Sequence, residues 1–275
     1  MIAVVIAQKS HDSSFAAAVR ELFARPREEE LSCSVPGLRC RRISVTVPFR
    51  AGERRKERLA RAVNARLEQI PHGRLGFAGE EGYYFRARAL SADLAPASDL
   101  PLKLCCLEGI VEQIVKEREL RGEKAVVVDN EGHPHTAYIL RTLCKHFHNV
   151  AVITGNEAYF ASLREQLMEE MGAALCCYHT LSNAQGSEMA VLAAGGDRAL
   201  FQLTRLRGAV VLNMSEELAG TSYGMRNLLS HVRASLTPEM RAALPEELPD
   251  SEAAALLCAE MGETAKQYFT LDGMA

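Results

Sequence analysis

The chain has 275 residues, of which 48% are hydrophobic and 24% charged, with a formal net charge of −3 at pH 7, as in a soluble globular protein with one large or two modest cores. No segment approaches the roughly 18 apolar residues of a membrane span, and the first residues lack a signal-peptide pattern, so we expect a cytoplasmic protein without membrane contact. The eight cysteines include no Cys-x-x-Cys, which argues against a zinc or disulfide framework.

The first part of the chain predicts a small α/β domain. Its apolar run 2–7 has the length of a strand, and a helix is predicted over 13–24. The acidic run 28–30 is predicted to interrupt regular structure. Residues 42–49 alternate polar and apolar side chains, which indicates a half-buried strand, and a helix with an apolar stripe is predicted over 52–70.

Buried strands and helices then alternate regularly in the second half of the chain. The strands are apolar throughout, as a parallel sheet covered by helices on both faces requires. Strands are predicted over 124–128, 150–154, 173–177, 189–194 and 209–213, and helices over 134–147, 157–171, 222–235 and 251–268.

These elements predict an α/β fold with more than one domain. A linker with small residues, proline and aspartate is predicted over 91–101. Lysine and arginine outnumber aspartate and glutamate by 21 to 16 in residues 1–122, whereas the counts are 11 and 19 in the remainder, which fits domains with different surfaces. We predict an N-terminal small α/β domain (1–100), a Rossmann-like parallel sheet with helices on both faces (101–235) and a C-terminal helical segment (236–275).

The carboxyl ends of the parallel strands nominate a ligand site in the second domain, because loops and helix N-termini converge there. The candidate cofactor-binding residues are Asp129, Gly132, Thr154, Asn156 and Asn213. In the loop DNEGHPHTA only Gly132 matches the glycine pattern of dinucleotide-binding proteins, and the acids would repel a phosphate. We therefore expect NAD or NADP binding in the usual pose to be weak or absent, although the cofactor is left open.

The same loop also allows two other interpretations. It could be a tight turn whose charged side chains face water. His133 and His135, with Asp129 and His179, could instead gather a divalent metal ion, since imidazole and carboxylate are competent ligands. A His-x-His pair on an exposed loop is more often solvated than ligating, and we expect no bound metal.

Residues 44–50, SVTVPFR, resemble the strand-to-helix element of the shikimate dehydrogenase family, Asn-Val-Thr-(Val/Ile)-Pro-(Phe/His/Tyr)-Lys, at five of seven positions. In that family the threonine contacts substrate hydroxyls and the lysine is the catalytic base or proton shuttle. The resemblance therefore implies substrate contacts for Thr46 and a substrate-binding or catalytic role for Arg50. KSHDSSF at 9–15 is similar to the family's early serine-containing substrate loop, which adds Ser14 as a substrate-binding candidate.

The chain departs from that family where the chemistry is carried. Arg50 replaces the lysine and stays protonated near neutrality, so it cannot readily act as a base. The family's Asn-Thr, its catalytic aspartate and its glycine-rich nucleotide loop have no convincing counterparts here. Whether the protein is an enzyme stays open; if it is one, the resemblance implies an NAD(P)-dependent oxidoreductase.

The resemblance implies a divergent shikimate dehydrogenase-like protein that binds a small polar or anionic ligand in a cleft between the domains, with Arg50 holding a carboxylate. The alternative is a non-catalytic sensor or partner-binding protein of Rossmann-like fold. Nucleic acid is not an expected partner, because the basic stretch from Arg39 to Arg66 lacks interleaved aromatic residues apart from Phe49. Homo-oligomerisation is left open.

Overall fold

The computed structural model describes residues 1–11, 14, 25–31, 35, 37–49, 51–71, 73–89, 94–96, 98–194, 203, 206, 208–215 and 227–274. The chain divides into two compact units. The first comprises Met1–Leu102 and Ala234–Thr270, and the second comprises Lys103–Arg233 and Leu271–Ala275.

Strands and helices alternate through most of the described chain. The strands are β1 (Ile2–Lys9), β2 (Arg27–Leu31), β3 (Cys40–Val47), β4 (Gly73–Ala78), β5 (Leu94–Pro96), β6 (Lys124–Val128), β7 (Asn149–Ile153), β8 (Leu175–Tyr178), β9 (Met189–Leu192), β10 (Val210–Asn213), β11 (Leu228–Leu229), β12 (Val232–Leu236) and β13 (Phe269–Met274). The α-helices are α1 (Glu53–Leu67), α2 (Gly82–Arg86), α3 (Leu100–Cys105), α4 (Leu107–Glu117), α5 (Thr136–Cys144), α6 (Glu157–Met171), α7 (Pro238–Ala243) and α8 (Asp250–Met261). Short 3₁₀ helices span Leu181–Ala184 and Gly262–Tyr268.

The first unit is built on a five-stranded sheet with the order β2-β3-β1-β4-β5. Its neighbouring strands are parallel except β2, which pairs antiparallel with β3. Apolar side chains of β1, β3 and β4 on one face pack against Leu59, Val63 and Leu67 of α1. The predicted half-buried strand and the amphipathic helix that follows it are thereby confirmed. Apart from Ser14, the helix predicted over 13–24 lies outside the described residues.

Helix α8 packs on the opposite face of this sheet. The helix lies close to the backbone of β4 at Gly76, where a Cβ atom would be only 2.7 Å from Cδ1 of Leu256. Glu252 of α8 accepts a hydrogen bond from the backbone N–H of Phe77 at 3.2 Å. Burial raises the pKa of the Glu252 carboxyl, although this hydrogen bond and Arg86 oppose the shift. The C-terminal helix therefore belongs to the core of the first unit.

The prediction that residues 28–30 interrupt regular structure was wrong, because they form the middle of β2. In the antiparallel register Glu29 lies opposite Arg42 and Glu30 opposite Arg41. The guanidinium of Arg41 forms an ion pair with the carboxylate of Glu28, with 2.7 Å between Nη1 and Oε1, so the neighbouring strand compensates for the low strand propensity of glutamate. The segment 94–96 of the predicted linker likewise forms strand β5.

The second unit contains a six-stranded sheet, with the order β11-β10-β9-β6-β7-β8 and all neighbours parallel. Counted along the chain, this is the 3-2-1-4-5-6 order of doubly wound dinucleotide-binding folds. Strand β6 is buried along 125–128, as expected of a strand with both faces covered. The predicted α/β class with a Rossmann-like parallel sheet is confirmed. The order reverses between β6 and β9, which makes their carboxyl ends the switch point of the sheet.

The helix predicted over 222–235 was wrong where the structure describes that range. Residues 228–229 form β11 beside β10, and 232–236 form β12, which pairs with β13. In β12 the buried Val232 and Ala234 alternate with exposed side chains, a period of two that the prediction took for a helical pattern.

Within the described ranges, no helix combines the length and apolar character that crossing a membrane would require.

Candidate functional site

The loop after β6 is organised by the carboxylate of Asp129, which is fully buried at the switch point. One carboxylate oxygen, Oδ1, accepts hydrogen bonds from the backbone N–H groups of Glu131 at 3.0 Å and Gly132 at 2.9 Å. The other, Oδ2, accepts from the backbone N–H of His133 at 2.7 Å and from the hydroxyl of Thr136 at 2.5 Å. The loop amides are thus bonded to an anion that the chain itself supplies.

This arrangement decides what the loop can offer to a phosphate group. Successive backbone N–H groups before a helix form an anion-binding nest, and dinucleotide-binding loops present such groups to the pyrophosphate. Here three N–H groups of the nest point at Asp129 instead. The sequence places an acid at this strand end, but only the structure shows that its carboxylate turns into its own loop.

The loop after β7 is tied to the loop after β6 through Asn156. The side chain of Asn156 caps α6 by accepting a hydrogen bond from the backbone N–H of Tyr159 at 3.3 Å. Its Nδ2 donates to the backbone oxygen of Glu131 at 3.1 Å. The buried hydroxyl of Thr154 accepts from the backbone N–H of Asn156 at 2.9 Å. Both cofactor-site candidates in this loop therefore hold local structure.

Gly132 is explained by its own turn. Its φ angle of +81° lies in the left-handed region, which residues with a Cβ atom adopt at a cost. A Cβ atom at this position would also lie 2.8 Å from Cγ of the Tyr159 ring. The one glycine that matches the dinucleotide pattern is thus required by the turn and by the tyrosine packed on it.

Asn213 lies at the carboxyl end of β10, where its side chain is buried. Its Oδ1 accepts a hydrogen bond from the backbone N–H of Ser215 at 2.9 Å, so it too stabilises the turn that follows its strand.

Tyr178 ends β8 at the edge of the same sheet. A hydrogen bond with the Cys176 thiol, followed by charge repulsion from Cys176 and by burial, raises the pKa of the Tyr178 hydroxyl.

The histidines near this edge fall into two groups, with His133 and His135 beside each other and His179 bonded to other residues. The rings of His133 and His135 lie 4.9 Å apart with a tilt of 45°. Nε2 of His179 lies 2.9 Å from a carboxylate oxygen of Glu157, and its Nδ1 lies 3.2 Å from the backbone oxygen of Thr154. Among the residues that the structure describes, no three His, Cys, Asp or Glu side chains are grouped as metal ligands would be.

In the first unit, polar side chains gather where β1 and β3 end. Thr46 of β3 is exposed and lies opposite the exposed Gln8 of β1 in the parallel register. The ammonium group of Lys9 lies 5.2 Å from the centroid of the Phe49 ring. Ser14 is exposed, and Arg50 lies outside the described residues.

A polar cluster on the same side of this sheet includes a residue that the sequence analysis missed. Oε1 of Glu247 accepts hydrogen bonds from Arg42 Nη2 at 2.8 Å and from Gln8 Nε2 at 3.1 Å. Nε of Arg42 donates to the hydroxyl of Ser44 at 3.1 Å. The alternation of Arg42, Ser44 and Thr46 with buried residues was a readable signal for one polar face of β3. Nothing local in the sequence brings Glu247 to that face.

The similarity of this chain to known proteins is distant in both sequence and structure. No model of a known protein family matches the chain, and no curated protein matches its sequence. Similar solved structures include quinate dehydrogenase from Corynebacterium glutamicum in complex with NAD, at 12% identity, covering 77% of this chain and 79% of that chain with a TM-score of 0.33. Shikimate 5-dehydrogenase from Mycobacterium fortuitum matches at 13% identity, covering 78% of each chain with a TM-score of 0.31.

Dipicolinate synthase, A chain, from Bacillus subtilis is also similar, at 13% identity over 93% of each chain with a TM-score of 0.39. The chain therefore has a weak structural resemblance to a group that includes shikimate and quinate dehydrogenases. At this level of identity and superposition, the similarity carries no information about ligand or reaction.

Proposed function

We propose that the protein binds a small polar or anionic ligand at the carboxyl edge of the first unit's sheet, through Ser14, Thr46 and Arg50. Its ancestry would be dehydrogenase-like, as the resemblance of residues 44–50 implies. Arg50 would supply the charge-assisted contact to an anionic group, because a guanidinium binds a carboxylate through two parallel hydrogen bonds.

The observation that supports this proposal is the setting of Thr46. It is the penultimate residue of β3, an inner strand that runs parallel to β1, and open α/β sheets bind ligands beyond the carboxyl ends of such strands. Its side chain is exposed and makes no hydrogen bond to any residue that the structure describes. The hydroxyl is therefore available to a ligand, next to Gln8 on the neighbouring strand.

The buried Asp129 favours the second candidate, a sensor or partner-binding protein that has lost nicotinamide-dependent catalysis. Hydride transfer to NAD or NADP requires the dinucleotide to be held, and the amides that would hold its pyrophosphate are bonded to Asp129. Ligand binding in the first unit does not depend on that loop, so we propose binding without NAD(P)-dependent turnover.

A ligand found by a thermal-shift screen of hydroxy acids, amino acids and nucleotides should bind less well when Thr46 or Arg50 is changed. Arg50→Ala is expected to weaken binding by a factor of tens to thousands, because loss of a partly desolvated charged contact costs about 2–5 kcal/mol. Thr46→Val removes the hydroxyl at nearly constant volume and should weaken binding roughly tenfold. Titration calorimetry of the hit against each variant gives both values.

Thr270→Val is the matched control, since Thr270 is an exposed threonine of β13 outside the proposed site. Arg50→Lys restores the residue that the family carries, yet it should not produce dehydrogenase turnover, because the nucleotide loop is unchanged. A ligand that binds equally well to wild type, Arg50→Ala and Thr46→Val would contradict the assignment of the site.

A further inference from the structure

The polar cluster of the first unit, formed by Gln8, Arg42, Ser44, Thr46 and Glu247, has a definite chemical character. Arg42 and Gln8 both donate to the same oxygen of Glu247, Oε1. The second oxygen, Oε2, accepts no hydrogen bond from any residue that the structure describes. The carboxylate is therefore fixed in orientation by one oxygen and leaves the other available.

Further acceptors lie beside this carboxylate. Gln8 contacts Glu247 through its amide nitrogen, and its side-chain oxygen makes no hydrogen bond to any residue that the structure describes. Thr46 lies opposite Gln8 in the register of β1 and β3, and its hydroxyl is unpaired within the described chain. Side chains directly opposite in parallel strands lie on the same face of a sheet, so the hydroxyl of Thr46 lies on the same face as the side chain of Gln8, which in turn contacts Glu247.

The cluster is also partly shielded from water. The relative solvent exposure of the side chain is 23% for Glu247 and 30% for Arg42. Partial desolvation makes a charge-assisted hydrogen bond worth more than the same bond in open water.

We propose that this cluster binds the primary ammonium group of a small ligand, which makes the ligand an amine or amino acid rather than a simple hydroxy acid. An ammonium group carries three donors and no acceptor. The cluster offers it a carboxylate oxygen of Glu247, the amide oxygen of Gln8 and the hydroxyl oxygen of Thr46. A ligand hydroxyl has a single proton to donate and would leave most of these acceptors unmatched. This inference rests on the proposed function, because it names the ligand class of the same edge of the sheet.

Pairs of ligands that differ only in this group test the proposal. The probes are glycine with glycolate, L-alanine with L-lactate, L-serine with glycerate and L-aspartate with L-malate. They are titrated into the full chain by calorimetry and by ligand-observed NMR. The amino member of at least one pair should bind more tightly than its hydroxy partner, by roughly tenfold to a hundredfold, as expected for a hydrogen-bonded charged contact.

Glu247→Gln is the decisive variant. Its side-chain oxygen can keep the contacts with Arg42 and Gln8, while its amide nitrogen replaces the available oxygen with a donor that an ammonium group cannot use. Binding of the amino member should fall to the level of its hydroxy partner. Glu246→Gln is the matched control, because Glu246 is an exposed neighbour that carries the same charge and makes no contact in the cluster. Unchanged thermal unfolding of both variants excludes a folding defect.

The outcomes separate this inference from the proposed function. Hydroxy acids that bind as well as amino acids, with affinities that Glu247→Gln leaves unchanged, would overturn the ammonium site and leave the ligand site of the first unit standing. No binding of either class to wild type would count against both. An amino-acid preference that is lost in Glu247→Gln and kept in Glu246→Gln supports both.

Discussion

Replacing Asp129 with asparagine is expected to lower the free energy of unfolding by roughly 3 kcal/mol, measured by urea or guanidinium denaturation. The carboxylate accepts from three backbone N–H groups and one hydroxyl in a site without solvent exposure. An asparagine side chain of the same shape has one oxygen, so its amide nitrogen would face donors that had an acceptor before. Each buried donor left without a partner costs about 1–3 kcal/mol.

Glu131→Gln is the control for this change. Glu131 lies in the same loop and carries the same charge, but its side chain is exposed and makes no hydrogen bond to the described residues. Its replacement should alter the free energy of unfolding by no more than about 0.5 kcal/mol. Equal small effects of the two substitutions would show that Asp129 does not organise the loop.

Gly132→Ala should lower the free energy of unfolding by about 2–4 kcal/mol, from two separable causes. The residue has a φ angle of +81°, which costs a residue with a Cβ atom about 1–2 kcal/mol. The new Cβ atom would also lie 2.8 Å from Cγ of the Tyr159 ring, so the ring would have to move. Thermal or denaturant unfolding measures the sum.

A double-mutant cycle with Tyr159→Ala separates these two causes. In the Tyr159→Ala background the steric part disappears, and Gly132→Ala should cost only about 1–2 kcal/mol. Gly155→Ala in the neighbouring loop is the matched control, because its Cβ atom would have no neighbour closer than 3.9 Å and its φ angle is not positive. An effect of Gly132→Ala that does not depend on Tyr159 would contradict the packing explanation.

The fold of the second unit was predictable because strands of a parallel sheet with helices on both faces are buried on both sides, and such strands appear in the sequence as continuous apolar runs. Strand 124–128 and helix 157–171 were predicted with the bounds that the structure has. Strand β2 was missed because three consecutive glutamates have low strand propensity, and the arginine that pairs with Glu28, Arg41, lies on β3. That information lies on a different segment of the chain.

The candidate site was predictable in position but not in orientation. Strand order and chain direction place Asp129 at the carboxyl edge of the sheet, but an acid at a strand end can face solvent, a ligand or its own loop. The hydrogen bonds to the following amides depend on the backbone path of the loop, which the sequence pattern does not determine. The cluster around Glu247 was out of reach, because its contacts with Arg42 and Gln8 join residues 205 and 239 positions apart.

The second unit thus has the doubly wound strand order, and the carboxylate of Asp129 occupies the loop position at which dinucleotide-binding folds hold a phosphate. In a dinucleotide-binding loop the free amides and the helix N-terminus attract the pyrophosphate. Here the same elements stabilise Asp129, and a bound phosphate would have to displace a buried carboxylate from several hydrogen bonds and then lie next to it. Repulsion between the two anions adds to that cost.

Calorimetric titration of the purified protein with NAD and with NADP tests this account most directly. Because the amides of Glu131, Gly132 and His133 are already bonded to Asp129, both titrations should show weak binding or none. Sub-micromolar binding of either cofactor to the wild-type protein would contradict the account and restore an ordinary dehydrogenase interpretation.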